Sequence, residues 1–87
     1  MRCVIAGRVQ MVGFRVFAVD VASQVGVSGW VRNLRDGAVE VLVQGPPERV
    51  EEVLRQLRRG PAAARVTSCE ETKVPINDHL VGFRLVA

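Results

Sequence analysis

The chain has 87 residues, 48% of them apolar and 24% charged, with both signs present and a net charge of +3. That length predicts one domain over residues 1–87, since a second core would bury too little surface to offset its own chain entropy. The composition excludes a disordered chain, and charged or polar residues break every apolar run well short of the ~20 residues that cross a bilayer.

The first apolar stretch ends at Arg8, too early for a secretory leader, so a cytoplasmic location is expected. Cys3 and Cys69 lie far apart without a CxxC pairing, which predicts free thiols and neither a zinc site nor a redox motif. The positive balance favours anionic partners without choosing among nucleic acid, a phosphorylated metabolite and simple solubility.

Residues 2–9 read as a strand, with Cys3, Ile5 and Val9 on one face, Val4 and Ala6 on the other, and both faces covered. Residues 10–13 break that pattern. Phe14, Phe17, Ala18, Val21 and Val25 then recur at helical spacing up to the stop at Gly26. Two strand patterns, 28–33 and 38–44, flank Leu34-Arg35-Asp36-Gly37, whose Asp-Gly predicts a hairpin.

Pro46 and Pro47 open a second helix with Val50, Val53, Leu54 and Leu57 as its apolar stripe, and Gly60-Pro61 ends it. Residues 65–74 and 83–86 read as the last strands. The order β-α-β-β-α-β-β predicts an α+β fold of ferredoxin-like, split βαβ type: an antiparallel sheet with two helices on one face. Such folds serve many functions, so the site must decide.

A turn directly before a helix leaves backbone N–H groups unpaired at the positive end of the helix dipole, and Gly7 to Arg15 place such a turn before Phe14. Arg15 would add a fixed charge and a planar fork of donors suited to phosphate oxygens. No Gly-Lys-Ser/Thr follows and no GxGxxG is present, which argues against nucleotide chemistry of either kind. Asn33, at the end of the second strand, offers one acceptor and two donors and can orient a water without being consumed. Each feature also has an ordinary reading: an arginine at a helix start is commonly solvated, and an asparagine before a turn commonly shapes it.

His79 is the sole histidine, beside Asp78, and has no neighbouring histidine or cysteine to complete a metal site, so a surface position is expected. Trp30 is expected to pack near a sheet edge rather than stack a base, and Arg55, Arg58 and Arg59 to form a solvated helix face.

Read together, Gly7-Arg8-Val9-Gln10-Met11-Val12-Gly13-Phe14-Arg15, Gly29-Trp30-Val31-Arg32-Asn33, Asp36-Gly37-Ala38-Val39-Glu40-Val41 and Gly60-Pro61 closely resemble the acylphosphatase family over essentially the whole chain. The resemblance implies hydrolysis of acyl phosphates to a carboxylate and inorganic phosphate, with no metal and no organic cofactor. It implies that Arg15 binds phosphate, that Asn33 orients the attacking water, and that the amides of Gln10, Met11, Val12, Gly13, Phe14 and Arg15 form the phosphate cradle. A small acyl phosphate is the implied partner and inorganic phosphate the product or inhibitor, with no nucleic acid; the short apolar runs argue against a membrane partner, and size with the absence of an obvious apolar patch predicts a monomer. A shallow phosphate clamp further suggests breadth toward the acyl part.

One departure stands out, because the family usually has glycine where this chain has Met11. If the position needs a positive φ, the methionine is strained or the loop shifts. The rival reading is a non-catalytic ferredoxin-like binding module for RNA or a partner protein.

Overall fold

The predicted elements form in the predicted order in a computed structural model that describes residues 1–87. They are β1 (Arg2–Arg8), α1 (Phe14–Val25), β2 (Ser28–Asn33), β3 (Val39–Gln44), α2 (Pro47–Arg59), β4 (Arg65–Thr72) and β5 (Phe83–Leu85). No helix is long and apolar enough to cross a membrane.

The strands make one sheet in the order β4-β1-β3-β2-β5. Every neighbouring pair is antiparallel except β2 and β5, which run parallel from Gly29 opposite Phe83 to Val31 opposite Leu85. The sheet is therefore mixed where a purely antiparallel one was expected. The reason is geometric: β4 and β5 lie on opposite edges and point in opposite directions, so the segment between them crosses one end of the sheet and enters β5 alongside β2. As a result β1, β2 and β5 all point the same way, and their C-terminal ends gather at one end of the sheet.

Alternation along the strands sends Cys3, Ile5, Val31, Val39, Val41 and Val43 to the helical side. There they share one core with Phe14, Ala18, Val21 and Ala22 of α1 and with Val50, Val53, Leu54 and Leu57 of α2. The apolar stripe read from the second helix is the set that is buried. Val4 and Ala6, expected to be covered, are only half-buried, because both helices occupy the other face of the sheet.

That open face holds one buried charge. Glu40 accepts from Arg2 Nε at 2.5 Å and from Arg32 Nε at 2.6 Å, and Arg32 also lies 5.2 Å from the centre of the Trp30 ring. Burial pushes the Glu40 carboxyl up, but the two guanidinium groups outweigh it and hold the group below its ordinary value. Stability from a depressed carboxylate is present above its unfolded value near 4.5 and is lost as pH falls through the folded one. Glu40→Gln should therefore cost about 1–2 kcal/mol at neutral pH, less than a fully buried pair would, because both arginines stay partly exposed. Urea unfolding at pH 7 and pH 3 checks this: the gap between the two proteins should close in acid, and a gap that persists there would contradict it.

Cys3 and Cys69 are free, and their sulfurs lie with a Glu71 carboxylate oxygen inside a 4.8 Å cluster. The neighbouring Cys69 thiol and burial push the Cys3 thiol up, while Cys3 lowers that of Cys69, whose Sγ donates to Glu71 Oε2 at 3.6 Å. Glu71 is already engaged by Arg58, which reaches it at 2.7 and 2.9 Å and ties α2 to β4. Arg58 and Arg55 are thus ion-paired rather than merely solvated.

Candidate active site

The loop between β1 and α1 is pinned at both ends. Val9 and Phe14 are each 1% exposed, and Phe14 meets the Phe17 ring edge-on at 5.9 Å. Ahead of the loop, the pairing of β1 with β4 shifts register between Ala6 and Gly7, and a Cβ at Gly7 would collide with the Arg65 carbonyl oxygen.

Between the two anchors the backbone turns left-handed twice, at Met11 (φ 63°) and at Gly13 (φ 77°). The consequence is a run of unused donors. No N–H from Gln10 to Val16 donates to an acceptor in the chain, and the first that does is Phe17, onto the Gly13 carbonyl at 3.0 Å. No side chain caps α1 and no acidic residue occupies its first turn, so the positive end of its dipole is uncompensated.

Met11 is the one non-glycine residue of the chain with positive φ, and its side chain is fully exposed. The strain foreseen for a side chain there is present, with no packing to offset it. Met11→Gly should raise stability by roughly 0.5–1 kcal/mol, the relief of a left-handed side-chain residue less the added freedom of glycine in the unfolded chain. Chemical denaturation measures this, and a lowered midpoint would mean that the methionine makes contacts that matter.

Gln10 was read from sequence as a contributor of backbone only. Its side chain does more: Nε2 donates to the Leu34 carbonyl at 2.7 Å and to the Ala38 carbonyl at 2.9 Å. These carbonyls bracket the β2–β3 turn, which is closed by Leu34 N–H on Ala38 O at 2.8 Å and by Ala38 N–H on Asp36 Oδ1 at 3.0 Å. Gln10 thereby holds the loop against the hairpin that carries Asn33. A glutamine inside a turn-like sequence gives no sign of that long-range bond.

Arg15 and Asn33 meet in one cleft of about 90 Å³, lined also by Val9, Met11, Gly13, Phe14, Val16 and Leu85. Arg15 is half-buried and forms no ion pair. Asn33 Oδ1 is the only buried side-chain polar atom without a hydrogen-bond partner. An orphaned acceptor of this kind costs free energy and so marks a place where a ligand or water belongs. The lining holds no carboxylate, imidazole, thiol or hydroxyl side chain.

A larger cavity of about 480 Å³ lies beside the C-terminal end of α2, lined by Phe17, Arg55, Gln56 and Arg59 among others. Its Arg55 is paired with Glu52, its Arg59 makes no ion pair, and no orphaned polar atom faces it. His79 is exposed in the segment before β5, and Trp30 is half-buried on β2, inside the edge formed by β5.

Fold and cleft together define a class: a ferredoxin-like α+β protein with an arginine and a row of free amides at the strand ends. Within that class the assignment is specific. The family model described as Acylphosphatase matches residues 1–85, and the chain belongs to the acylphosphatase family. An acylphosphatase of Legionella pneumophila (strain Lens) is 46% identical over 80 residues, 92% of this chain and 88% of that protein. One of Nitrobacter hamburgensis is 50% identical over 74 residues, 85% and 75% of the two chains. The crystal structure of acylphosphatase from Bacillus subtilis superposes with a TM-score of 0.94 at 32% identity, covering 99% of this chain and 96% of that one. The chain is thus an enzyme of the acyl-phosphate-hydrolysing class.

Proposed function

We propose that the chain hydrolyses acyl phosphates by direct attack of a water molecule oriented by Asn33, with the phosphoryl group held by Arg15 and the amides of Gln10 to Arg15. The observation that carries this reading is the orphaned Asn33 Oδ1 in the same cleft as an unpaired arginine. Oδ1 accepts a hydrogen bond from the water and aims its lone pair at phosphorus. The P–O bond to the acyl group breaks, and the carboxylate leaves with the bonding pair.

With no general base in the cleft, the water's proton passes to a phosphate oxygen of the substrate itself. A carboxylate leaves readily without acid assistance, so positioning and charge stabilisation suffice. The lining offers a divalent cation no carboxylate, only the neutral oxygen of Asn33, which supports a reaction run without metal. Inorganic phosphate, as product, competes for the same donors. Both sheet edges are guarded, β4 by Arg65, Glu70 and Glu71 and β5 by its three-residue length, which supports a monomer.

Hydrolysis of benzoyl phosphate with a chelator present tests this directly. Turnover inhibited by inorganic phosphate is expected. No turnover, together with a salt-dependent affinity for oligonucleotides, would instead establish the binding-module reading.

A further inference from the structure

Cys3 and Cys69 lie far apart in sequence, and the antiparallel pairing of β1 with β4 brings them together. Cys3 lies opposite Glu71 and Ile5 opposite Cys69, so both cysteines and Glu71 project from the helical face of the sheet, where Arg58 of α2 reaches down to Glu71. The two sulfurs and a Glu71 carboxylate oxygen lie within 4.8 Å of one another, and Cys69 Sγ stands 3.6 Å from Glu71 Oε2. Neither thiol belongs to the cleft: the strand from Cys3 to Arg8, roughly 16 Å long, separates this cluster from the start of the cradle.

We propose that Cys3, Cys69 and Glu71 form a binding site for a thiophilic divalent cation of the zinc class, which ties β1 to the β4 edge. Two sulfurs and one carboxylate oxygen suit zinc or cadmium and offer little to magnesium or calcium, which prefer oxygen alone. A tetrahedral zinc ion, with bonds of about 2.3 Å to sulfur and about 2.1 Å to oxygen, holds such donors roughly 3.5–3.8 Å apart. The Cys69–Glu71 spacing already falls in that range, and the remaining pairs need to close by roughly 1 Å at most. Cys3 is fully buried, whereas Cys69 and the Glu71 side chain are partly exposed, so one flank is open for entry and for a water as fourth ligand.

Charge balance supports the same reading. Two thiolates and a carboxylate bring three negative charges against the two positive ones of the cation, and the Arg58 guanidinium supplies the third. Glu51, the other partner of Arg58, is more exposed and screened by solvent. Arg58 donates to both Glu71 oxygens, at 2.7 and 2.9 Å, which fixes the carboxylate and still leaves each oxygen a lone pair. On binding, two S–H bonds give way to two metal–sulfur bonds and both protons pass to solvent, with no change of oxidation state. A disulfide fits less well, because the cysteines are diagonal rather than opposite in the ladder. Diagonal positions stand roughly 7–8 Å apart at Cα, beyond the usual ~4.4–6.8 Å span of a disulfide. A cation bonded to both sulfurs bridges the wider gap.

The test adds cadmium(II) alone to the reduced full chain. The ultraviolet thiolate-to-cadmium absorption band should saturate at one equivalent with the intensity of two thiolates. Cys69→Ser, a near-isosteric change at a half-buried site, should lose most of the band, and Glu71→Gln should keep it while binding at least roughly tenfold more weakly. Zinc(II) at a hundredfold excess over its Kd should raise the melting temperature of the unmodified chain by roughly 10–20 °C and that of Cys69→Ser by far less. Turnover of benzoyl phosphate should be unchanged in Cys69→Ser, which separates this site from the cleft. No cadmium band, or a melting temperature indifferent to zinc, would overturn the proposal. So would a melting shift that survives in Cys69→Ser, which would place the metal elsewhere.

Discussion

Arg15→Ala is expected to lower kcat/KM for benzoyl phosphate by roughly a thousandfold or more, the range seen when a guanidinium is withdrawn from a transferring phosphoryl group. Arg15 lines the cleft without an ion pair of its own, so its charge is fully available to a substrate. The same change should abolish competitive inhibition by inorganic phosphate, because ground-state and transition-state phosphoryl oxygens both use this group. Arg15→Lys should recover only part of the loss, since an ammonium provides a point charge where the guanidinium provides a planar fork. Retained phosphate inhibition in Arg15→Ala would show that the loop amides alone bind the anion. Thermal stability should hardly move, for no folded-state partner is lost.

Asn33→Ala should divide differently between kcat and KM. Orienting a water contributes only as the reaction proceeds, so kcat should drop by roughly a hundred- to a thousandfold with KM and phosphate inhibition little changed. Removing a buried acceptor that no protein group satisfies should also leave stability equal or raised by up to about 1 kcal/mol. Lost activity with unimpaired stability and unimpaired phosphate binding would set Asn33 apart from a turn former. A variant that unfolds more easily but still turns over would assign it to the hairpin instead.

What the sequence revealed and what it hid divide by the range of the interactions. Asp36-Gly37 and the heptad-like run from Val50 to Leu57 declare a hairpin and a buried helix face because turn chemistry and helical period are local properties. Arg15 and Asn33 could be placed at element ends for the same reason, but each also has an ordinary local reading, and it was the resemblance to a known family that singled them out. The strain at Met11 was foreseen only as a departure from the glycine usual in the family, on the condition that the position has positive φ, which it does.

Hidden features all join residues remote in sequence. The parallel pairing of the short β5 with β2 depends on which edge remains vacant after β4 has taken the other. The two hydrogen bonds from Gln10 to the hairpin depend on that hairpin standing beside the loop. Glu40 carries no local sign of burial, and only the lateral arrival of Arg2 and Arg32 makes it a buried charge. The exposed Val16 and Leu85 are hidden in the same way, unremarkable until α1 and β5 bring them to one cleft.

The place of β1 between β4 and β3 also bears on how the molecule comes into being. Arg2 pairs on one side with Leu42 and on the other with Thr72, so β1 completes its ladders only after β3 and β4 have been made. Loop closure on that scale must occur before the contacts can compensate for it, which places folding among the slower small domains rather than among the helical bundles. The β2–β3 hairpin and α2 contain their own turn and stripe and can begin earlier. The loop of free amides, which hangs from β1 and leans on the hairpin through Gln10, takes shape only at the final closure. A nascent chain released too soon would thus retain its hairpin while lacking any organised anion cradle.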